Sequence, residues 1–91
     1  MINPRHPGQI LAEDYMRPSG LSAFKLAKTF GLTTSRISRL MRCEHALTAD
    51  TALYLASYFG GNARDWLMLQ VDYDLSVAVS SRTEKAKKRK A

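Results

Sequence analysis

Strand signals are nearly absent from this sequence of 91 residues, so a sheet is not expected. No apolar run approaches the roughly 20 residues that cross a bilayer, which excludes a membrane helix. The N-terminus, MINPRHPGQI, lacks the apolar segment of a secretory signal, and cytoplasmic residence is expected. Cysteine occurs once, at Cys43, and cannot form an internal disulfide. Paired carboxylates, a nucleophile elbow and a glycine-rich phosphate loop are all missing, so neither an enzyme nor a cofactor is expected. His6, Cys43 and His45 are too few and too unevenly spaced for a zinc pattern, and no metal is expected.

Acidic residues are missing from one long stretch. Between Tyr15 and Cys43 stand six bases (Arg17, Lys25, Lys28, Arg36, Arg39, Arg42) and no acid, whereas Glu13, Asp14, Asp65, Asp72 and Asp74 lie to either side. The net charge of +6 is less informative, because six of the fourteen basic residues fall in the last ten positions. A chain this short holds one core, and the reading is one domain over 1–81 followed by a basic, unstructured tail over 82–91. That tail is a candidate nonspecific arm for nucleic acid.

Apolar residues recur at three- and four-residue spacing between clear stop signals, which predicts an all-α domain of five helices. The first starts near Pro7, carries Ile10, Leu11 and Tyr15, and stops before Pro18; His6 helps cap it. The second is capped by Ser22, carries the stripe Phe24, Leu26, Ala27, Phe30, and ends at Gly31. Thr33 or Thr34 caps the third, with Ile37, Leu40 and Met41 inward. Thr48 caps the fourth, which buries Ala52, Leu55, Ala56 and Phe59. Asn62 and Asp65 open the fifth, which frays beyond Val79.

Helices two and three are joined by Gly31, Leu32 and a capping threonine, a connection that forces a steep crossing. Ala27 is small where the two must approach, and Gly31 permits a positive backbone dihedral. This is helix-turn-helix chemistry. Projected at 100° per residue, the third helix turns Ser35, Ser38, Arg39 and Arg42 outward, with Arg36 on the flank and Thr34 at the entrance. Arginine can grip guanine through O6 and N7, and serine or threonine can bond base edges or phosphates, so this surface suits a major groove. A solvated ion-pair face is disfavoured, because no acid stands three or four residues from Arg36 or Arg39. The DNA-contact set expected is Thr33, Thr34, Ser35, Arg36, Ser38, Arg39, Arg42 and Lys25.

HPGQIL near the start, GLTTSRISRLM in the middle and LTADTALYLASYFGGNARDWLMLQVDYDL resemble the HigA-type antitoxins of bacterial toxin-antitoxin modules, a branch of the phage-repressor-like, lambda-repressor-like helix-turn-helix proteins. The resemblance implies a homodimer that binds double-stranded operator DNA, represses its own operon and neutralises a RelE-like ribonuclease toxin. It places the recognition helix on residues 34–42, with Thr34, Ser35, Ser38 and Arg39 toward DNA. Two departures stand out: Ala23 replaces a frequent glutamine that contacts phosphate, and Cys43 and Glu44 replace a glycine and a base.

The fifth helix, through Trp66, Leu67, Leu69, Gln70 and Tyr73, is the expected dimer interface, in line with that family. Glu13 and Asp14, or the acids of the fifth helix, are the expected anchor for a basic toxin. A stand-alone prophage-type repressor would share every DNA-binding feature but lack the toxin. A protein adaptor would not shift its own promoter in a gel, and an RNA-binding role lacks base-stacking aromatics on the basic face.

Overall fold

The structure is a computed structural model that describes residues 4–90, with side chains as far as residue 82. Five helices follow one another. Helix α1 is continuous but wound in three segments, Pro7–Ile10, Leu11–Met16 and Arg17–Ser19, the middle one with π winding. Then come α2 (Ala23–Phe30), α3 (Thr34–Met41), α4 (Ala49–Phe59) and α5 (Ala63–Lys90). The all-α architecture with a helix-turn-helix is the one expected.

Side-chain caps set the starts of all five helices. The Gly8 N–H donates to His6 Nδ1 (2.9 Å), Lys25 N–H to Ser22 Oγ (3.1 Å) and Arg36 N–H to Thr33 Oγ1 (3.1 Å). Thr48 accepts from Thr51 N–H, and Asn62 accepts from Asp65 N–H while its side-chain amide donates to the Asp65 carboxylate. Each cap satisfies an amide that the helix leaves without a partner, worth about 1 kcal/mol.

The core joins Leu11 and Met16 of α1, Leu26 and Phe30 of α2, Ile37 and Leu40 of α3, Leu55 of α4 and Trp66 of α5. Burying each such side chain stabilises the fold by about 1.5–3 kcal/mol. Two contacts matter most for the site. Gly8 is packed so tightly on the end of α3 that a Cβ there would stand 1.7 Å from the Leu40 carbonyl oxygen. Gln70, 7% exposed, accepts the Leu47 N–H (2.7 Å) and donates to Asp74 (2.9 Å), tying the α3–α4 loop to α5.

Four details differ from the sequence-based expectation. Helix α1 runs through Pro18 to Ser19, because the π segment bonds Arg17 N–H to Ala12 C=O and widens the turn that the proline ring would otherwise strike. Phe24 is 64% exposed: it lies on the outer side of α2, whose buried stripe is Leu26, Ala27 and Phe30. Met41 is only half-buried, at the last turn of α3. Helix α5 passes both Val79 and the 81/82 boundary without a break, since Arg, Lys, Glu and Ala there are all strong helix formers and no glycine or proline intervenes. The expectation of an unstructured tail concerns a segment whose side chains from 83 onward lie outside the described residues.

Candidate nucleic-acid interface

The turn between α2 and α3 is built as the residue types require. Gly31 holds φ +71°, and Leu32 N–H returns to the Ala27 carbonyl (2.9 Å), so the chain reverses within three residues. Ala27, 1% exposed, lets α2 and α3 close on each other, and Ile37 and Leu40 fix which side of α3 faces inward. The opposite side is thereby committed to solvent: Thr34, Ser35, Arg36, Arg39 and Arg42 are exposed, and so are Thr33 and Lys25. Ser38 is half-buried, on the outward face but closer to the body of the domain. All eight residues expected to contact DNA are therefore at the surface, seven of them freely.

The electrostatics keep that face cationic. Among the described residues the ion pairs are Arg5 with Glu13 and Asp14, and Arg42 with Glu44. Arg36, Arg39, Lys25 and Lys28 enter none of them. An unpaired guanidinium on a protruding helix is free to form a bidentate bond with a base edge or phosphate.

Past Met41 the chain does something composition did not announce. Cys43 adopts φ +63°, the left-handed conformation that glycine usually supplies, with Cys43 N–H bonded to the Leu40 carbonyl (3.0 Å) and Glu44 N–H to that of Arg39 (2.9 Å). The turn expected of a glycine is thus made by a cysteine. It swings Glu44 back against Arg42 and brings the following loop beside α3. There, a concavity of about 390 Å³ is lined by Thr33, Arg36 and Arg39 from α3 and by His45 and Thr48 from the loop. In the sequence His45 stands out only beside His6 and Cys43, as a candidate metal ligand. The signal for a surface role is its place just after the recognition helix.

The acids and the apolar face can also be placed. Asp14 bonds Arg5 at 2.6 Å, which holds its carboxyl below the usual carboxylate range. Of the α5 residues expected at a dimer interface, Trp66 (5% exposed) and Gln70 (7%) are buried in the chain's own core. Leu67 and Leu69 pack beside that core, and Tyr73 meets the His6 ring edge-on at 4.9 Å. Exposed apolar residues on the same helix are Met68, Val71, Leu75, Val77 and Val79, of which Met68, Val71 and Leu75 share the face opposite Trp66 at spacings of three and four. Among the described residues, no three His, Cys, Asp or Glu side chains converge in a metal-holding group, and no helix is long and apolar enough to cross a membrane.

No protein-family model matches the chain. It is 52% identical over 73 residues to virulence-associated protein I of Dichelobacter nodosus, covering 80% of this chain and 68% of that protein. Among solved structures it resembles an addiction module antidote protein of the HigA family from Coxiella burnetii, with 39% identity, a TM-score of 0.84, and 96% and 95% of the two chains covered. It also resembles the Pseudomonas aeruginosa antitoxin HigA with the higBA promoter, at 28% identity, a TM-score of 0.84, and 91% and 90% coverage.

Proposed function

Because this chain belongs to the HigA-type antitoxin family, whose members are DNA-binding regulators rather than enzymes, we propose that it is the antitoxin of a HigB/HigA-type module. In this reading it binds its own promoter as a homodimer and neutralises a RelE-like ribonuclease toxin. The observation that carries the DNA half is the outward face of α3, where Ser35, Arg36 and Arg39 are exposed with no acid paired to either arginine. The Pseudomonas relative, solved with its promoter, supports double-stranded operator DNA as the ligand.

A dimer would insert two α3 helices into successive major grooves of a palindrome, with half-site centres about one helical turn apart. The exposed Met68, Val71 and Leu75 offer the apolar surface for self-association, while Trp66 and Gln70 stiffen the helix from behind. For the toxin, Glu13 and Asp14 are already occupied by Arg5, and Asp65 and Asp74 by neighbouring amides. Asp72 on α5 is exposed and enters no such pair, which favours that helix as the electrostatic anchor for a basic partner.

Two measurements test this reading. A gel shift with a duplex spanning the gene's own promoter should show a complex that Arg39→Ala weakens; equal binding to unrelated DNA would remove the operator. Co-expression with the neighbouring open reading frame should yield a co-purifying small basic protein whose RNA cleavage is silenced. Its absence would leave a stand-alone repressor.

A further inference from the structure

Arg36 lies on the flank of α3 and not at the centre of its outward face, so in a groove-inserted helix it points toward a wall of the groove. The concavity lies on that flank. Basic side chains reach it from two separate segments, Arg36 and Arg39 from the helix and His45 from the loop. No carboxylate lines it, and the nearest acid in sequence, Glu44, is held by Arg42. Thr33 adds a hydroxyl whose oxygen accepts the Arg36 N–H, which leaves its own proton for a ligand oxygen. The wall bearing His45 is pinned on both sides, by Glu44 N–H to the Arg39 carbonyl and by Leu47 N–H to the buried Gln70. A side chain on a segment held this way is positioned before the ligand arrives.

We propose that this concavity seats a backbone phosphodiester of bound DNA, with Arg36 and His45 as its basic partners and Thr33 as a neutral donor. The proposal rests on the DNA-binding reading above and extends it to His45, which that reading does not assign, and to a shared seat for Arg36 and Thr33. It also accounts for the departure at positions 43 and 44: Cys43 makes the left-handed turn, Glu44 is neutralised against Arg42, and the basic side chain for the backbone comes one residue later, at His45.

The test uses the full chain, its own promoter duplex and a mixed-sequence duplex of equal length, with affinity followed by fluorescence anisotropy over about 50–200 mM salt at mildly acidic pH. Phosphate contacts are blind to sequence, so Arg36→Ala and His45→Ala are each expected to weaken both duplexes by a similar factor, about tenfold. Each should also flatten the slope of log affinity against log salt by about one. His45→Lys, which restores a cation, should keep the slope. Both residues are exposed, so folding is untouched, and an unchanged melting temperature checks this. Loss confined to the promoter duplex would overturn the proposal in favour of base reading, and unchanged affinities and slopes would overturn it outright. Wild-type protein that binds the two duplexes equally would instead count against the operator reading, with the phosphate seat still measured on both.

Discussion

The two ends of the recognition helix are made in different ways. At its start, Gly31 turns the chain at φ +71° and Thr33 caps the first turn, with partners no more than five residues apart. At its end, Cys43 occupies φ +63° without being glycine, and the last carbonyls are pressed by Gly8, more than thirty residues earlier in the chain. The first end is local and built from residues that prefer their conformations. The second is closed by local hydrogen bonds in a backbone conformation its residue disfavours, with Gly8 seated on the Leu40 carbonyl from a distance, and it carries the loop that brings His45 beside Arg36.

The largest expected effect tests that distant contact. Gly8→Ala would place a methyl group 1.7 Å from the Leu40 oxygen and 2.7 Å from its carbon, both backbone atoms that cannot rotate away. Separation of α1 from α3 should cost about 3 kcal/mol, read by chemical denaturation. A loss below 1 kcal/mol would show that the end of α3 does not depend on this seat.

The same seat should respond to acid. His6 is 4% exposed and uses Nδ1 as an acceptor for Gly8 N–H, so the cap needs an unprotonated nitrogen there. Burial lowers its pKa below the ordinary 6.5, against an opposing pull from Asp74. The unfolded chain therefore takes up a proton first: this part of the stability is complete above about pH 6.5 and declines as pH falls below it. His6→Asn, which keeps an acceptor but cannot titrate, should flatten the dependence of the melting temperature on pH in that window. An identical profile in both proteins would assign the dependence elsewhere.

On the exposed face of the helix the effect moves from stability to binding. Arg39→Ala should weaken the promoter duplex by about tenfold to a hundredfold and leave the melting temperature unchanged, because the side chain is exposed and enters no ion pair among the described residues. Equal weakening on unrelated DNA would make Arg39 a backbone contact. At the local end, Gly31→Ala has open space for its methyl group and should cost about 1–2 kcal/mol, the penalty of a left-handed backbone alone.

These contrasts explain what the sequence let a reader see. The caps at Ser22, Thr33, Thr48 and Asn62, the Gly31 turn and the inward set Leu26, Ile37 and Leu40 follow from neighbours within one or two helical turns, where residue type and spacing decide. The helix-turn-helix and its outward arginines were legible for that reason. Pro18 misled because a π segment makes room for it, a winding that no residue type announces. The Gly8 seat on Leu40, the Gln70 bond to Leu47 and the hollow shared by Arg36 and His45 join residues distant in sequence or on separate segments, and only the packed fold brings them together. On α5, periodicity found the apolar residues but could not tell Trp66, which faces the core, from Met68, Val71 and Leu75 on the other side.

The smallest effect reverses the usual sign. A side chain held at φ +63° costs about 1–2 kcal/mol relative to glycine, of which glycine's greater freedom in the unfolded chain returns roughly 0.5–1. Cys43→Gly should therefore stabilise the protein by about 0.5–1 kcal/mol, a rise of a few degrees in melting temperature for a domain of this size. The thiol is exposed, so little packing is lost to offset the gain. Since the turn keeps its shape, His45 stays beside Arg36 and DNA affinity should not change. A variant that is more stable but binds DNA less well would mean that the cysteine side chain, and not only the backbone it tolerates, helps to shape the loop; a variant that is no more stable would mean that the fold compensates for the strain at this end of the helix.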